Sequence, residues 1–214
     1  MKYPLAEKFK GVVQGEGLYT GTPMAFLRFV GCSVGKTICV HCDTAFERMN
    51  LSLGGGLHTV DELVHWVIPY EHVCLTGGEP LDRDLSPLIH AFSKHDIRVH
   101  IETSGTIYPP WLDSKFLHTA SVWLCVSPKP GWKQEMIDVA DEVKVILGGL
   151  GDGPSWPTIE HAVKWADEGK LVFLQPRNLV LDINQAAVCE ALDAVNRYPQ
   201  LRLSVQLHKY LRCR

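Results

Sequence analysis

The sequence lacks the runs and biases that hold a chain to a membrane or a polyanion. No apolar stretch approaches the roughly 20 residues that a spanning helix needs. The opening residues, Met1-Lys2-Tyr3-Pro4-Leu5-Ala6-Glu7-Lys8, have no apolar centre of the kind a signal peptide carries. A cytoplasmic protein is expected. Charge of one sign is also missing: Lys and Arg number 21 against 24 Asp and Glu, a formal net charge of -3. No basic field is available to draw the chain onto nucleic acid or an anionic bilayer, which leaves a small molecule as the natural partner. Internal repeats, low-complexity tracts and shifts of composition are absent as well. With 214 residues, 46% of them hydrophobic, the chain can bury one sizeable core, and a single domain over residues 1–214 is expected.

Cysteine is unevenly placed. The odd count of seven and the lack of a signal peptide speak against an oxidised framework. Cys74 and Cys125 sit inside the apolar runs Val73-Cys74-Leu75 and Leu124-Cys125-Val126, where a free thiol behaves as a small core hydrophobe. Cys189, in a helical pattern, reads the same way, and Cys213 reads as an incidental terminal thiol.

Short strand-like runs recur at Met24–Val30, His72–Leu75, Arg98–Ile101, Val122–Val126, Val143–Leu147, Leu171–Leu174 and Arg202–Val205. Helical patterns fall between several of them. Thr59-Val60-Asp61-Glu62 is a capping box followed by the stripe Leu63, Val64, Trp66 and Val67, and Pro69 ends that helix. Ser86-Pro87 opens a second that runs towards Lys94, with serine as N-cap; a third covers Thr158–Glu168 and a fourth Asn184–Arg197. Ile107–Ser121 and Gly148–Trp156 are rich in Pro and Gly and only weakly periodic. The alternation predicts an α/β fold with a mostly parallel sheet, and the apparent shortage of crossover helices predicts a partial TIM-type barrel.

Polar signatures follow the strands. Thr76-Gly77-Gly78-Glu79-Pro80, Glu102-Thr103-Ser104-Gly105, Ser127-Pro128-Lys129, Gln175-Pro176 and Gln206-Leu207-His208-Lys209 each lie just beyond a predicted strand. Parallel α/β architectures bind ligands at the carboxyl ends of their strands, so these segments converge on one candidate active face.

Cys32, Cys39 and Cys42 form a Cys-x6-Cys-x2-Cys cluster directly after the first of these strands. Thiolates hold zinc or iron–sulfur centres, and a structural zinc site wants a fourth ligand. His41 is adjacent to Cys42 and poorly placed to share one tetrahedral ion with it, and no second cysteine knuckle follows. Three thiols without a fourth suit a [4Fe–4S] cluster with one open iron. The cluster alone leaves iron–sulfur, zinc and unligated thiols as the alternatives.

Followed by Gly77-Gly78-Glu79, such a cluster resembles the radical S-adenosylmethionine (SAM) superfamily, whose members commonly have three residues between the first two cysteines where this chain has six. Further segments resemble one family within it, the 7-carboxy-7-deazaguanine synthases, which vary in that interval. These segments are Gln14-Gly15-Glu16-Gly17, Arg28 with Gly31-Cys32, Cys42-Asp43-Thr44, Thr76 to Pro80, Glu102 to Gly105, Ser127-Pro128-Lys129, Gln175-Pro176 and Gln206-x-His208-Lys209-Tyr210-Leu211. Each is weak alone. Together and in order they span nearly the whole chain.

The resemblance implies a radical SAM core with reduced helix content and an enzyme of queuosine-type deazapurine biosynthesis. Such an enzyme is a carbon–nitrogen lyase that takes 6-carboxy-5,6,7,8-tetrahydropterin to 7-carboxy-7-deazaguanine. The implied cycle abstracts hydrogen from C6, contracts the ring, returns the hydrogen to regenerate SAM and releases ammonia. Cys32, Cys39 and Cys42 would ligate the [4Fe–4S] cluster. Gly77, Gly78 and Glu79, with Ser127, Lys129 and Gln175, would hold SAM, although Ser127, Lys129 and Gln175 also read as ordinary strand-end polarity. Val13, Gln14 and Gly15 through their main chain, with Glu16, Arg28 and Thr76, would hold the pterin. Glu16 would accept N–H groups of its guanine-like edge and Arg28 would meet its carboxylate. Thr44 would reach Mg²⁺, with Asp43 behind it; an Asp-Thr turn is the alternative. A flavodoxin or ferredoxin as electron donor and a homodimer are implied too. Two rivals share part of the pattern: another small radical SAM enzyme such as a glycyl-radical activase, and a non-enzymatic zinc-binding module.

Overall fold

The computed structural model describes residues 1–40, 42, 44–148, 155–177 and 183–211. His41, Asp43 and Cys213 therefore lie outside the described residues. In chain order the elements are β1 (Lys2–Val13), β2 (Pro23–Phe29), α1 (Gly35–Ile38), β3 (Gly56–Thr59), α2 (Val60–Val67), β4 (His72–Gly77), α3 (Ser86–Ser93), β5 (Arg98–Thr103), α4 (Ser114–Thr119), β6 (Val122–Val126), α5 (Gln134–Val139), β7 (Glu142–Leu147), α6 (Ile159–Asp167), β8 (Leu171–Pro176), α7 (Gln185–Arg197), β9 (Arg202–Leu203) and α8 (Leu207–Leu211).

The strands form one sheet in the order β3-β1-β2-β4-β5-β6-β7-β8-β9. From β2 to β9 every neighbouring pair is parallel, while β1 runs antiparallel to both β2 and β3. The sheet is unclosed, an α/β partial barrel of the expected class. Of the two weakly periodic stretches, Ile107–Ser121 holds the helix α4, and most of Gly148–Trp156 lies outside the described residues; α4 and α5 have only six residues each.

Helix starts follow the local chemistry. Thr59 caps α2 with the full box: its hydroxyl accepts from Glu62 N–H at 3.2 Å, and the Glu62 carboxylate accepts from Thr59 N–H at 2.7 Å. Such a cap contributes about 1 kcal/mol. At α3 the structure corrects the expected cap. Ser86 is already the first helical residue, and Asp84 Oδ1 accepts from its N–H at 2.9 Å.

The two faces of the sheet differ in chemistry because strand side chains alternate. Val73, Leu75, Val99, Ile101, Leu124, Val126, Val143, Val145, Val172 and Leu174 are fully buried and belong to one core with Leu88, Ile89, Phe92 and Trp165 from the helices. Burying each large side chain contributes about 1.5–3 kcal/mol. The other parity carries His72, Cys74, His100, Glu102, Cys125, Glu142, Lys144 and Gln175, and the strand register sets Glu102 beside Cys125 and Cys125 beside Glu142. Cys74 and Cys125 are buried as expected, but on this polar side; Cys189 is exposed, contrary to expectation, because it sits on the outer face of α7.

The loop from Gln14 to Thr22 straps across the opening of the sheet. It leaves the β1–β2 edge, where Gln14 N–H donates to Thr22 O at 2.8 Å, and reaches the far edge, where Gly17 N–H donates to Ser204 Oγ at 3.0 Å and Leu207 N–H to Gly15 O at 2.9 Å. Glu142 anchors its middle by accepting from Leu18 N–H at 3.0 Å. Gly17 is required there: its φ is +68°, and a methyl group would lie 1.9 Å from Glu142 Oε1. At the base of the strands the ring of Tyr19 packs on His100 and Trp123, with centroids 4.5 and 5.1 Å away, and His72 Nδ1 lies 2.9 Å from His100 Nε2. Among the described residues, no helix is long and apolar enough to cross a membrane.

Candidate active site

A cavity of about 320 Å³ opens at the carboxyl ends of the parallel strands. Its first wall comes from the loop after β2. Cys32, Cys39 and Cys42 all line it, and the stretch without a helix or strand signal between the first two contains the single turn α1. Cys39 N–H donates to Gly35 O at 3.1 Å, and Cys42 N–H to Cys39 O at 2.9 Å. Burial pushes the Cys32 and Cys39 thiols up, with Lys129 acting on Cys39 in the opposite sense.

Gly77 and Gly78 bring β4 against that loop. Gly78 N–H donates to Phe29 O at 3.2 Å, and a methyl group at Gly78 would lie 1.6 Å from Gly31 O. Only a residue without a side chain allows this approach. Glu79 follows but does not line the cavity. It is fully buried, and its carboxylate accepts from Thr103 Oγ1 at 2.6 Å, Ser104 N–H at 2.9 Å, Leu81 N–H at 3.0 Å and the Ser104 hydroxyl.

The adjoining wall comes from the next strands. Lys129 Nζ donates to Ser127 O at 2.7 Å and to Ser127 Oγ at 2.8 Å. Burial pulls its ammonium below the ordinary lysine value, opposed by Cys39. Gln175 is buried and accepts from Ser204 Oγ at 3.0 Å.

Opposite lies the strap. Val13, Gln14, Gly15 and Glu16 line the cavity with Thr76 and Arg28. Arg28 Nε donates to Glu7 at 2.9 Å, Nη1 reaches Thr44 Oγ1 at 3.4 Å, and the guanidinium lies 5.9 Å from the Phe9 ring centre. Glu16 pairs with Lys144 and accepts from Gln206 Nε2 at 2.9 Å. Burial alone would raise its carboxyl, but Lys144 and these donors outweigh it and bring the pKa down to about 2. Among the described residues, every expected site residue except Glu79 thus faces one cavity.

Comparison with known proteins decides the family. The 7-carboxy-7-deazaguanine synthase of Flavobacterium psychrophilum is 34% identical over 97% of this chain and 91% of its own length. The enzyme of the same name from Escherichia coli K12 is 32% identical over 99% of each chain. This chain belongs to the 7-carboxy-7-deazaguanine synthase family. The crystal structure of QueE from Escherichia coli superimposes with a TM-score of 0.73 at 27% identity, covering 97% of this chain and 95% of that one. No family model matches the chain.

For a 7-carboxy-7-deazaguanine synthase, several cavity residues carry little sequence signal of their own. Lys144, Phe9, Phe26, Cys74 and Arg177 line the site, as do Glu102, Gln206 and His208 from segments already noted as strand-end polarity. Lys144 had a usable signal, a charged residue alternating with Val143 and Val145 in a buried parallel strand. The aromatic pair Phe9 and Phe26, stacked with centroids 4.9 Å apart, had none beyond ordinary hydrophobicity.

Proposed function

We propose that the chain is a radical SAM lyase that converts 6-carboxy-5,6,7,8-tetrahydropterin to 7-carboxy-7-deazaguanine with release of ammonia. The observation that carries this reading is the sharing of one cavity by the three-cysteine wall and the wall holding Glu16 and Arg28. The donor set fits an iron–sulfur cluster. Among the described residues no three His, Cys, Asp or Glu side chains gather tightly enough to hold one metal ion. A [4Fe–4S] cluster asks for less, since each thiolate binds a different iron. Cys32, Cys39 and Cys42 would hold it, and Gly77, Gly78, Ser127, Lys129 and Gln175 would line the SAM site beside it. When bound, cluster and SAM together supply the radical that starts the reaction.

The chain's own groups do the rest. Glu16 stays ionised and accepts N–H groups of the pterin's guanine-like edge, with Thr76 and the main chain of Val13, Gln14 and Gly15 beside it. Arg28, oriented by Glu7, offers the rest of its fork to the substrate carboxylate. Phe9 and Phe26 exclude water from this end of the cavity. Thr44, held at Arg28, would supply one oxygen to Mg²⁺ at that carboxylate; magnesium keeps several waters, so few protein ligands would be needed. Glu79 fastens the turn beneath the SAM site. A flavodoxin or ferredoxin as reductant and a homodimeric assembly belong to the same reading.

The test is anaerobic reconstitution with iron and sulfide, followed by incubation with reductant, SAM, Mg²⁺ and 6-carboxytetrahydropterin. A brown protein that forms 7-carboxy-7-deazaguanine, identified by mass spectrometry, is the expected result. A colourless zinc protein, or an iron–sulfur protein that cleaves SAM but leaves the pterin unchanged, overturns the reading.

A further inference from the structure

Lys144 occupies an unusual place on the inner face of β7. Its side chain is 3% exposed, yet its ammonium binds two carboxylates from different elements, Glu102 Oε2 of β5 at 3.0 Å and Glu16 Oε2 of the strap. Each carboxylate uses its other oxygen on an amide: Gln14 Nε2 donates to Glu102 Oε1 at 3.3 Å and Gln206 Nε2 to Glu16 Oε1 at 2.9 Å. The chain Gln14–Glu102–Lys144–Glu16–Gln206 runs along the cavity wall, and all its members line the cavity.

Other charged or titratable groups surround it. Cys125 of β6, Glu142 of β7, Cys74 of β4 and Lys129 interact electrostatically with Lys144, His208 does so with Glu16, and Arg28 lines the same cavity. Burial keeps the Cys74 and Cys125 thiols protonated. Glu142 is occupied elsewhere, accepting from Leu18 N–H at 3.0 Å and from Cys125 Sγ at 3.4 Å. The ammonium therefore serves the Glu16–Glu102 pair.

Removing that ammonium would leave two carboxylates close together on the cavity wall, their side chains only 18% and 20% exposed. Like charges so placed resist joint ionisation, and the pair takes up a proton. A protonated carboxyl donates a hydrogen bond where an ionised one accepts. Two ionised carboxylates present acceptors only, the complement of a planar edge that carries N–H donors.

We infer that Lys144 is a positioning residue that keeps Glu16 and Glu102 together in acceptor form to receive the N–H groups of the substrate's guanine-like edge. This rests on the reading of the cavity as a pterin site, and it adds Glu102 to the groups that touch the substrate. Lys144 itself acts through the two carboxylates, and its effect falls on substrate affinity and on the pH dependence of that affinity.

Calorimetric titration of 6-carboxytetrahydropterin into the reconstituted holoenzyme, across roughly pH 6 to 8.5, reads this directly because a proton taken up by the pair must leave before the ligand binds. The wild type is expected to bind with little pH dependence. Lys144→Met is expected to bind at least about tenfold more weakly at the acid end and to recover by up to about tenfold per pH unit as the pair loses its proton. Adding Glu102→Gln removes the repulsion, so the double variant binds without that pH dependence and melts at a higher temperature than Lys144→Met alone. If Lys144→Met does not fold, the double variant, freed of the repulsion, still does. Wild-type affinity in Lys144→Met at every pH, a pH-independent loss, or a double variant no more stable than the single one overturns the role of Lys144. A wild-type protein that does not bind the pterin overturns instead the reading of the cavity.

Discussion

Glu79 accepts the main-chain N–H of Ser104 at 2.9 Å, and through this contact the end of β4 is tied to the end of β5. The Thr103 hydroxyl at 2.6 Å, Leu81 N–H at 3.0 Å and the Ser104 hydroxyl complete the carboxylate's shell. Removing the carboxylate strands several buried donors at once. Glu79→Ala is expected to lower the unfolding free energy by about 2–4 kcal/mol, even in protein without cluster or SAM. Urea denaturation of the apoprotein measures this, and an unchanged midpoint would show that the carboxylate is not a structural tie.

The close approach of Gly78 to the first cluster-loop residues gives a second expectation. With only 1.6 Å between an added methyl group and Gly31 O, Gly78→Ala must displace main chain that leads directly into Cys32. A loss of about 2–3 kcal/mol in stability and a fall in iron bound per chain after reconstitution are expected. Normal iron content in a stably folded variant would show that the two loops can separate without disturbing the cysteines.

His100 makes acid sensitivity a property of the fold. Burial first, then His72 and Arg98, lower its pKa to about 3. Its folded value therefore lies below the unfolded value near 6.5, so the neutral ring stabilises the native state above about pH 6.5. That contribution is lost as pH falls towards 3, with a slope of up to about 1.4 kcal/mol per unit. Denaturation series at pH 7, 6 and 5 should show the decline in the wild type and a shallower one in His100→Phe. Parallel slopes would place the acid sensitivity elsewhere.

Thr44 tests the proposed metal. Valine nearly matches threonine in shape and lacks the oxygen, so Thr44→Val removes a ligand without opening a large cavity. At matched iron content the variant should lose most of its Mg²⁺-stimulated product formation, measured with and without added Mg²⁺. A wild-type response to Mg²⁺ would leave Thr44 as a turn residue held by Arg28.

The legibility of the sequence varied by element for identifiable reasons. The parallel strands were plain because their outward side chains are uniformly apolar, and α2, α3, α6 and α7 announced themselves through caps and stripes. β1 was not legible: irregularities between Leu5 and Glu7 and between Phe9 and Val12 shift its register, breaking the period-2 pattern that marks a strand. The helices α4 and α5 are too short to establish a helical period. At the candidate site, motifs after strands pointed to the face on which the cavity opens, whereas Lys144, which pairs with its carboxylates, came from within a strand. Lys144 was legible only as a single charged residue alternating with Val143 and Val145, and the inward turn of Glu79 could not be read from a Gly-Gly-Glu sequence.

The strap links the beginning of the chain to its end, since Gly17 and Ser204 are separated by 187 positions. Contacts of such long sequence separation form late, after the entropy of closing a very large loop has been overcome. During synthesis, Glu16 has no Gln206 to bind until 190 further positions of the chain have been made. The Glu16 wall of the cavity is thus completed by residues far along the chain. A nascent or interrupted chain can carry all three cysteines of the loop and still lack a finished cavity beside them.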